Sequence, residues 1–209
     1  MTHSLHRIGT RESLENDYVV LFVPSRGIND RGSGKKARIF LELLKKHRAE
    51  HYGDDLTGNV LTRGHEQLIK DAHDITNIHG VFSSFKKLKD FIGDVVKADL
   101  GISVVVSGLL DKVKECSELT GAKYHTVEVS LGFWGKKEKL PPEDILEITT
   151  MCGHGYVTAK LVYDVLEKVR KGTYSPRHAA EKLAKTCACG IFNPDRAEKL
   201  IAGLSREKA

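Results

Sequence analysis

Three of the four cysteines lie beyond position 150, in two short runs, Cys152-Gly153-His154 and Cys187-Ala188-Cys189. Thiolate and imidazole are the side chains that hold zinc, copper or an iron–sulfur cluster, and a closed site usually takes four of them. Cys152, His154, Cys187 and Cys189 are therefore the candidate metal ligands. His154 and Cys187 are 33 positions apart, enough for one helix out and a second helix back. In the cytoplasm thiols are kept reduced, so clustered cysteines there favour metal or redox chemistry over a disulfide framework.

The elements that would position these runs are legible around them. Leu140-Pro141-Pro142-Glu143-Asp144 starts a helix with proline and acids in its first turn. Thr158 is placed to cap a helix carrying Leu161, Val162, Val165, Leu166 and Val169 and closed by Gly172. Ser175-Pro176 opens the next helix, with Ala179, Ala180, Leu183 and Ala184 facing inward, and Asn193-Pro194-Asp195 opens the last. Both ligand runs then fall in turns before helices, where backbone N–H groups stabilise negative charge on sulfur. The composition break Gly135-Lys136-Lys137-Glu138-Lys139 divides the chain into residues 1–135 and a helical module of residues 140–209.

On these residues, the stretch from Cys152 to Leu204 resembles the bacterioferritin-associated ferredoxin type of [2Fe–2S] domain. That family runs Cys-x-Cys-x-x-Val-Thr, a helix, a glycine-containing turn, a second helix, Cys-x-x-Cys and a last helix. Cys152, Val157 and Thr158 fall in place. His154 stands where the second cysteine would be, and Cys187-Ala188-Cys189 is one residue shorter than the family's second pair. The resemblance covers about a quarter of the chain and implies a helical cluster-binding turn, with [2Fe–2S] favoured, [4Fe–4S] possible and zinc as the alternative.

The first part reads differently. Asp17 to Pro24 is a continuous apolar run, as expected for a central strand buried on both faces. A glycine-rich, mostly basic loop from Ser25 to Lys36 follows, then an amphipathic helix with Ile39, Phe40, Leu43 and Leu44 inward. Strand, glycine loop and helix is a layout that can cradle an anion, but no intact P-loop is present, since Asn29 and Lys36 occupy the first glycine and Ser/Thr positions. A turn and short strand over residues 53–62 precede a helix expected over residues 64–77, and Ser83 and Ser84 precede a third helix with Phe85, Leu88, Phe91, Ile92 and Val95 inward. Gly101 to Gly108 repeats the buried-strand pattern, and a helix ending at Gly121 follows. Tyr124 to Leu131 alternates, with Val127, Val129 and Leu131 on one side, which predicts an edge strand.

Strands alternating with helices predict an α/β fold with an open, mostly parallel sheet, followed by the small all-helical module. In such a sheet ligands bind at the carboxyl ends of the strands. That expectation gathers Ser25, Arg26, Ser107 and Gly108 as a site for a small anionic ligand. His47 and His51 share a helix face in this reading, and His65, His73 and His79 lie near one another without converging. Cys116 reads as a small buried apolar residue.

Charge is uneven. Residues 151–209 hold 11 basic and 6 acidic side chains, against totals of 33 and 28, so residues 1–150 are balanced and the net +5 arises entirely in the C-terminal part. This points to an acidic redox partner, or to a solvated face that offsets a negative metal–thiolate centre. A duplex-binding domain would show a denser basic stripe, so nucleic acid is not expected. No apolar stretch approaches the roughly 20 residues needed to span a bilayer, and the N-terminus has no secretory pattern, so a cytoplasmic protein without membrane contact is expected. The functional expectation is an iron–sulfur redox or accessory protein. Its alternatives are a zinc-stabilised binding module, or an enzyme using the strand rim beside the metal centre.

Overall fold

Tyr18–Val23 (β1) is apolar throughout because it is covered on both faces. Tyr18, Val20 and Phe22 point into one core, and Val19 and Leu21 into another. The computed structural model describes residues 2–206; Met1 and residues 207–209, the outer ends of the two parts drawn above, lie outside the described residues. In chain order the further elements are α1 (Arg11–Leu14), ahead of β1, then α2 (Ser33–Lys46), β2 (His51–Asp54), β3 (Gly58–Asn59), α3 (Val60–Arg63) and α4 (His65–Asp71). They continue with β4 (Ile78–Phe82), α5 (Phe85–Ala98), β5 (Ser103–Ser107), α6 (Leu110–Thr120), α7 (Glu143–Thr149), α8 (Ala159–Arg170), α9 (Pro176–Thr186) and α10 (Pro194–Arg206).

The fold mixes helices with one five-stranded sheet, in the order β3-β2-β4-β1-β5. Every neighbouring pair is antiparallel, which corrects the expected parallel sheet. The reason is β4. The crossover from β1 through α2 to β2 leaves a gap of one strand, and β4 fills it, running against both neighbours. Read as β1-α2-β2-β4-α5-β5, with β3, α3 and α4 as an excursion, this is the split β-α-β topology of ferredoxin-like sandwiches, a term that describes chain path alone. The strand β4 was not legible because His79 and Gly80 interrupt an apolar run of only five residues. Gly80 leaves room for α2: a Cβ would stand 2.6 Å from Leu44 Cδ2, so the Leu44 side chain would have to shift.

Each face of the sheet carries its own helical layer. On one side Phe40, Leu41 and Leu44 of α2 and Leu88, Phe91 and Ile92 of α5 pack on Tyr18, Phe22, Ile78 and Phe82. On the other, Val19, Leu21 and Val81 join Ile145 and Ile148 of α7, Val162 and Val165 of α8, Leu183 of α9 and Ile201 of α10. Burying each such large side chain contributes about 1.5–3 kcal/mol. Thr158 and Ser175 cap α8 and α9 through their side chains, as their sequence positions imply. Residues 124–131, expected as an edge strand, form no strand and lie exposed; the edge is β5 itself.

One polar hub is sealed between sheet and module. Asp17, at the foot of β1, accepts hydrogen bonds from Arg7, from Arg196 Nη1 at 2.8 Å and from Asn193 Nδ2 at 3.1 Å. The side chains of Arg7, Asp17 and Arg196 are 6%, 0% and 2% exposed, so this is a desolvated network rather than a surface pair. Arg196 also donates to Ser13 Oγ and to the Ile8 carbonyl, which binds the N-terminal arm to α10. Among the described residues no helix is long and apolar enough to cross a membrane.

Candidate metal centre

The turn after α9 is seated directly on the sheet. Cys187 caps α9, and Gly190, at φ +79°, lies so close to the Tyr52 and Gly53 backbone of β2 that a Cβ would overlap it. Gly53 is paired with His79 of β4, so the cysteine turn is delivered beside that imidazole. Asn59 fixes the approach, because its Nδ2 donates to the carbonyls of Lys185 at 3.2 Å and Cys187 at 3.0 Å. The other turn is held from the N-terminal arm. Arg7 Nη2 donates to the Met151 carbonyl at 3.1 Å and also to the Ile191 carbonyl, so one guanidinium ties both ligand turns together and is itself anchored on Asp17.

The four residues expected from the sequence lie in a row, of which His154 and Cys189, but not Cys152 or Cys187, belong to a compact ligand group. Cys152 and Cys187 are hydrogen-bonded to each other, Cys187 Sγ lies 3.9 Å from Cys189 Sγ, and Cys189 Sγ lies 3.6 Å from His154 Nδ1. One further histidine, His3, extends the row, and His79 borders it. His3 stacks on His154, with ring centroids 4.6 Å apart, and meets His79 edge-on at 5.2 Å. Ligand atoms of His3, His154 and Cys189 all lie within 4.8 Å of one another. Neither His3 nor His79 stands at a spacing that links it to the cysteine runs. The signal for His79 was an imidazole inside an otherwise apolar strand; for His3 there was none.

The donor set suits a soft metal or cluster. Ligands on one tetrahedral ion, at bonds of about 2.3 Å, stand about 3.8 Å apart, which the sulfur–sulfur and sulfur–nitrogen separations match. His3 Nε2 and His79 Nδ1 are buried without a hydrogen-bond partner among the described residues, which leaves both free to accept a water or an ion. Burial, then the neighbouring His154, lowers His3 to about 4, and burial, then His3, lowers His79 to about 3. Both imidazoles are therefore neutral at pH 7, the form that ligates. The Cys152 and Cys187 thiols are protonated in the metal-free chain: the hydrogen bond with Cys187, then burial, raise Cys152. For Cys187 the Cys152 hydrogen bond acts downward, but the Cys189 hydrogen bond and burial outweigh it and raise the thiol to about 12. Metal binding must release these protons. Cys116 lies apart in the other core, its thiol raised by burial to about 11.

The rim site does not assemble. Antiparallel pairing sets Ser107 opposite Val19 and Ser103 opposite Val23, so Ser25 and Arg26 leave the opposite end of the sheet from Ser107 and Gly108. The six residues of β1 separate them by roughly 20 Å. Each half is also occupied internally. The glycine loop closes on Asp74, whose carboxylate accepts from Gly32 N and Gly34 N, both at 2.9 Å, in place of an external anion. Ser107 Oγ is bonded to Ser4 Oγ at 2.7 Å, and Gly108 lies against the Tyr18 ring. His47 and His51 do not share a helix: His47 pairs with Asp94, while His51 is on β2 and bonded to the Phe192 carbonyl.

Gly153 makes the arm's position possible, because a Cβ there would overlap the His3 carbonyl oxygen. Gly153→Ala should displace the arm and reproduce the metal affinity of His3→Ala, both measured by competition with a chromophoric chelator. If Gly153→Ala binds like the unsubstituted chain, the arm does not contribute a ligand.

The buried imidazoles also set a pH dependence. His51, lowered by burial to about 4, joins His3 and His79 in taking up a proton only after unfolding. Between about pH 4 and the ordinary 6.5 the unfolded chain binds more protons at these sites, so stability rises with pH there. Asp54, raised to about 6 by burial and its hydrogen bond with Asp55, acts in the opposite direction between 3.8 and about 6. Three groups oppose one. The urea midpoint of the metal-free chain should be higher at pH 7.5 than at pH 5, and the difference should shrink in His51→Gln.

The chain matches no protein-family model, no curated protein and no solved structure. Function is therefore argued from the centre alone.

Proposed function

We propose that this protein is an iron–sulfur protein, with a two-iron centre held by four of the donors Cys152, Cys187, Cys189, His154 and His3 and a redox or cluster-accessory role. The observation that carries this reading is the row of five soft ligands, with sulfur and nitrogen atoms 3.9 and 3.6 Å apart along it. A two-iron cluster takes four protein ligands, two at each iron, a mixed thiolate–imidazole set is one that such clusters use, and the row offers one donor more than that. When bound, the cluster would supply one-electron chemistry. The chain's own part is to keep the thiol end dry and the histidine end open. Cys187 and Cys189 are fully buried, whereas His154 is exposed and is followed by Tyr156 at 58% exposure. The centre thus has one edge at the surface, where a partner could exchange electrons, and the basic balance of residues 151–209 suits an acidic one.

Structural zinc is the second reading, favoured by the compact grouping of His3, His154 and Cys189, whose ligand atoms all lie within 4.8 Å of one another. Against it, that group holds three donors, one fewer than the four protein ligands of a closed structural zinc site. One experiment separates the two. Protein purified without oxygen is examined for its absorption spectrum, and iron, zinc and acid-labile sulfide are counted on the same sample. Brown protein with two irons and two sulfides per chain is the expected result. Colourless protein with one zinc per chain, unfolding on chelation without a redox signal, overturns it.

A further inference from the structure

We propose that the tip of the N-terminal arm, residues 3–6, is a strap over the metal centre, which swings away to admit the ion and closes behind it with His3 as the last ligand. This rests on the reading above, with His3 among the donors that hold the metal, and does not depend on which metal they hold. The thiols are shut away. Cys152, Cys187 and Cys189 are 2%, 0% and 0% exposed, so an ion in solvent reaches a sulfur only when part of the cover moves. On the sheet side the cover is fixed, because Gly190 is seated against the β2 backbone and Asn59 Nδ2 holds the Lys185 and Cys187 carbonyls. Over the histidine end the cover is the arm. It crosses the first ligand turn between Cys152 and His154, with the His3 carbonyl on Gly153, and lays the His3 ring on His154.

The arm is fastened differently at its root and at its tip. At the root Arg7 bonds to Asp17 and to the Met151 and Ile191 carbonyls, Ile8 N donates to Thr150 Oγ1 at 3.4 Å, and Thr10 N donates to Glu147 Oε1 at 3.2 Å. The root can stay in place while the tip moves. At the tip Ser4 Oγ is bonded to Ser107 Oγ of β5 at 2.7 Å, and the His3 ring lies against His154 and His79. Leu5, half-buried, and His6, exposed, join the two parts. A chain end held by a hydroxyl pair and ring contacts opens at a lower cost than the core elements beneath it. A bound ion adds a bond to the tip, because the His3 imidazole, with Nε2 buried and unpartnered among the described residues, then becomes a ligand. Loading the centre therefore latches the strap.

The rate of Co²⁺ uptake by the metal-free full chain, followed by absorption, tests this in a variant that pins the tip. Ser4→Cys with Ser107→Cys puts two thiols where the oxygens already meet, so oxidised glutathione should close a disulfide between them and a phosphine should open it. The closed form should take up Co²⁺ more than about tenfold more slowly than the opened form. The unsubstituted chain, whose thiols are all buried, should load at one rate under both conditions. Ser107→Ala removes the catch and no ligand, so it should load roughly fivefold faster and hold the same amount of metal. Equal rates for the closed and opened forms overturn the strap and leave the ligand assignment standing. A chain that takes up no Co²⁺, or whose Cys189→Ser variant takes up as much as the unsubstituted chain, overturns the metal reading and the strap with it.

Discussion

Cys189→Ser should lower metal retention by more than about 100-fold, the upper range for loss of a supporting residue and a lower bound for a ligand. Cys189 is the junction of the site. Its sulfur is 3.9 Å from Cys187 and 3.6 Å from His154, and it is the thiol that shares a 4.8 Å group with His3 and His154. Removing it separates the thiol end from the histidine end, whereas removing Cys152 deletes a terminal member of the row. Serine keeps the volume of the side chain close to native, so folding of the metal-free chain should be preserved. Metal analysis after anaerobic purification, with circular dichroism on the same sample, is the measurement. Cys116→Ala is the control and should retain the metal in full, because Cys116 belongs to the core on the opposite face of the sheet. Equal loss in both variants would remove the centre from these residues.

Asp17→Ala should destabilise the chain by about 3–5 kcal/mol. Asp17 is fully buried and is the shared anion of two guanidiniums, Arg7 and Arg196. Its removal leaves both positive charges desolvated in the same cavity, which costs more than the loss of either hydrogen bond alone. Against a total stability of about 5–15 kcal/mol, this is enough to unfold a marginal fraction of the protein at ordinary temperature. Urea unfolding of the metal-free chain checks it, with Glu15→Ala, whose pair with Arg11 is exposed, expected to change stability by less than about 0.5 kcal/mol. The same substitution reaches the metal. Arg7 holds the carbonyls of Met151 and Ile191 while braced on Asp17, so metal affinity in the folded fraction of Asp17→Ala should also fall. A variant that loses stability but binds metal as before would show that the ligand turns are positioned without Arg7.

Local chemistry was legible wherever a short stretch of sequence determines its own conformation. Thr158 and Ser175 before their helices, and glycine at the end of α6, act within a few residues, so the helices of the module stand where the sequence places them. The apolar run of β1 needed no partner to be read, since only a strand covered on both faces is apolar at successive positions. The two Cys/His runs were legible for the same reason, because they stand as short pairs in the sequence. Strand direction is a different kind of property. It depends on which strand fills the gap beside β1, and that strand carries a histidine and a glycine in five residues, too little pattern to announce itself. Its discovery reverses the sheet and dissolves the rim site with it.

What the sequence by itself determined is the mix of helices and strands, and the placing of cysteine and histidine in turns that open onto helices. What only the tertiary structure decided is which histidines join them. His3 arrives from an arm 149 residues before Cys152, and His79 from the far side of the sheet's central gap. Both are brought in by contacts of backbone with backbone, Gly153 against the His3 carbonyl and Gly190 against β2. Such contacts depend on the absence of a side chain and on chain path over long separations, and neither leaves a periodic trace along the chain.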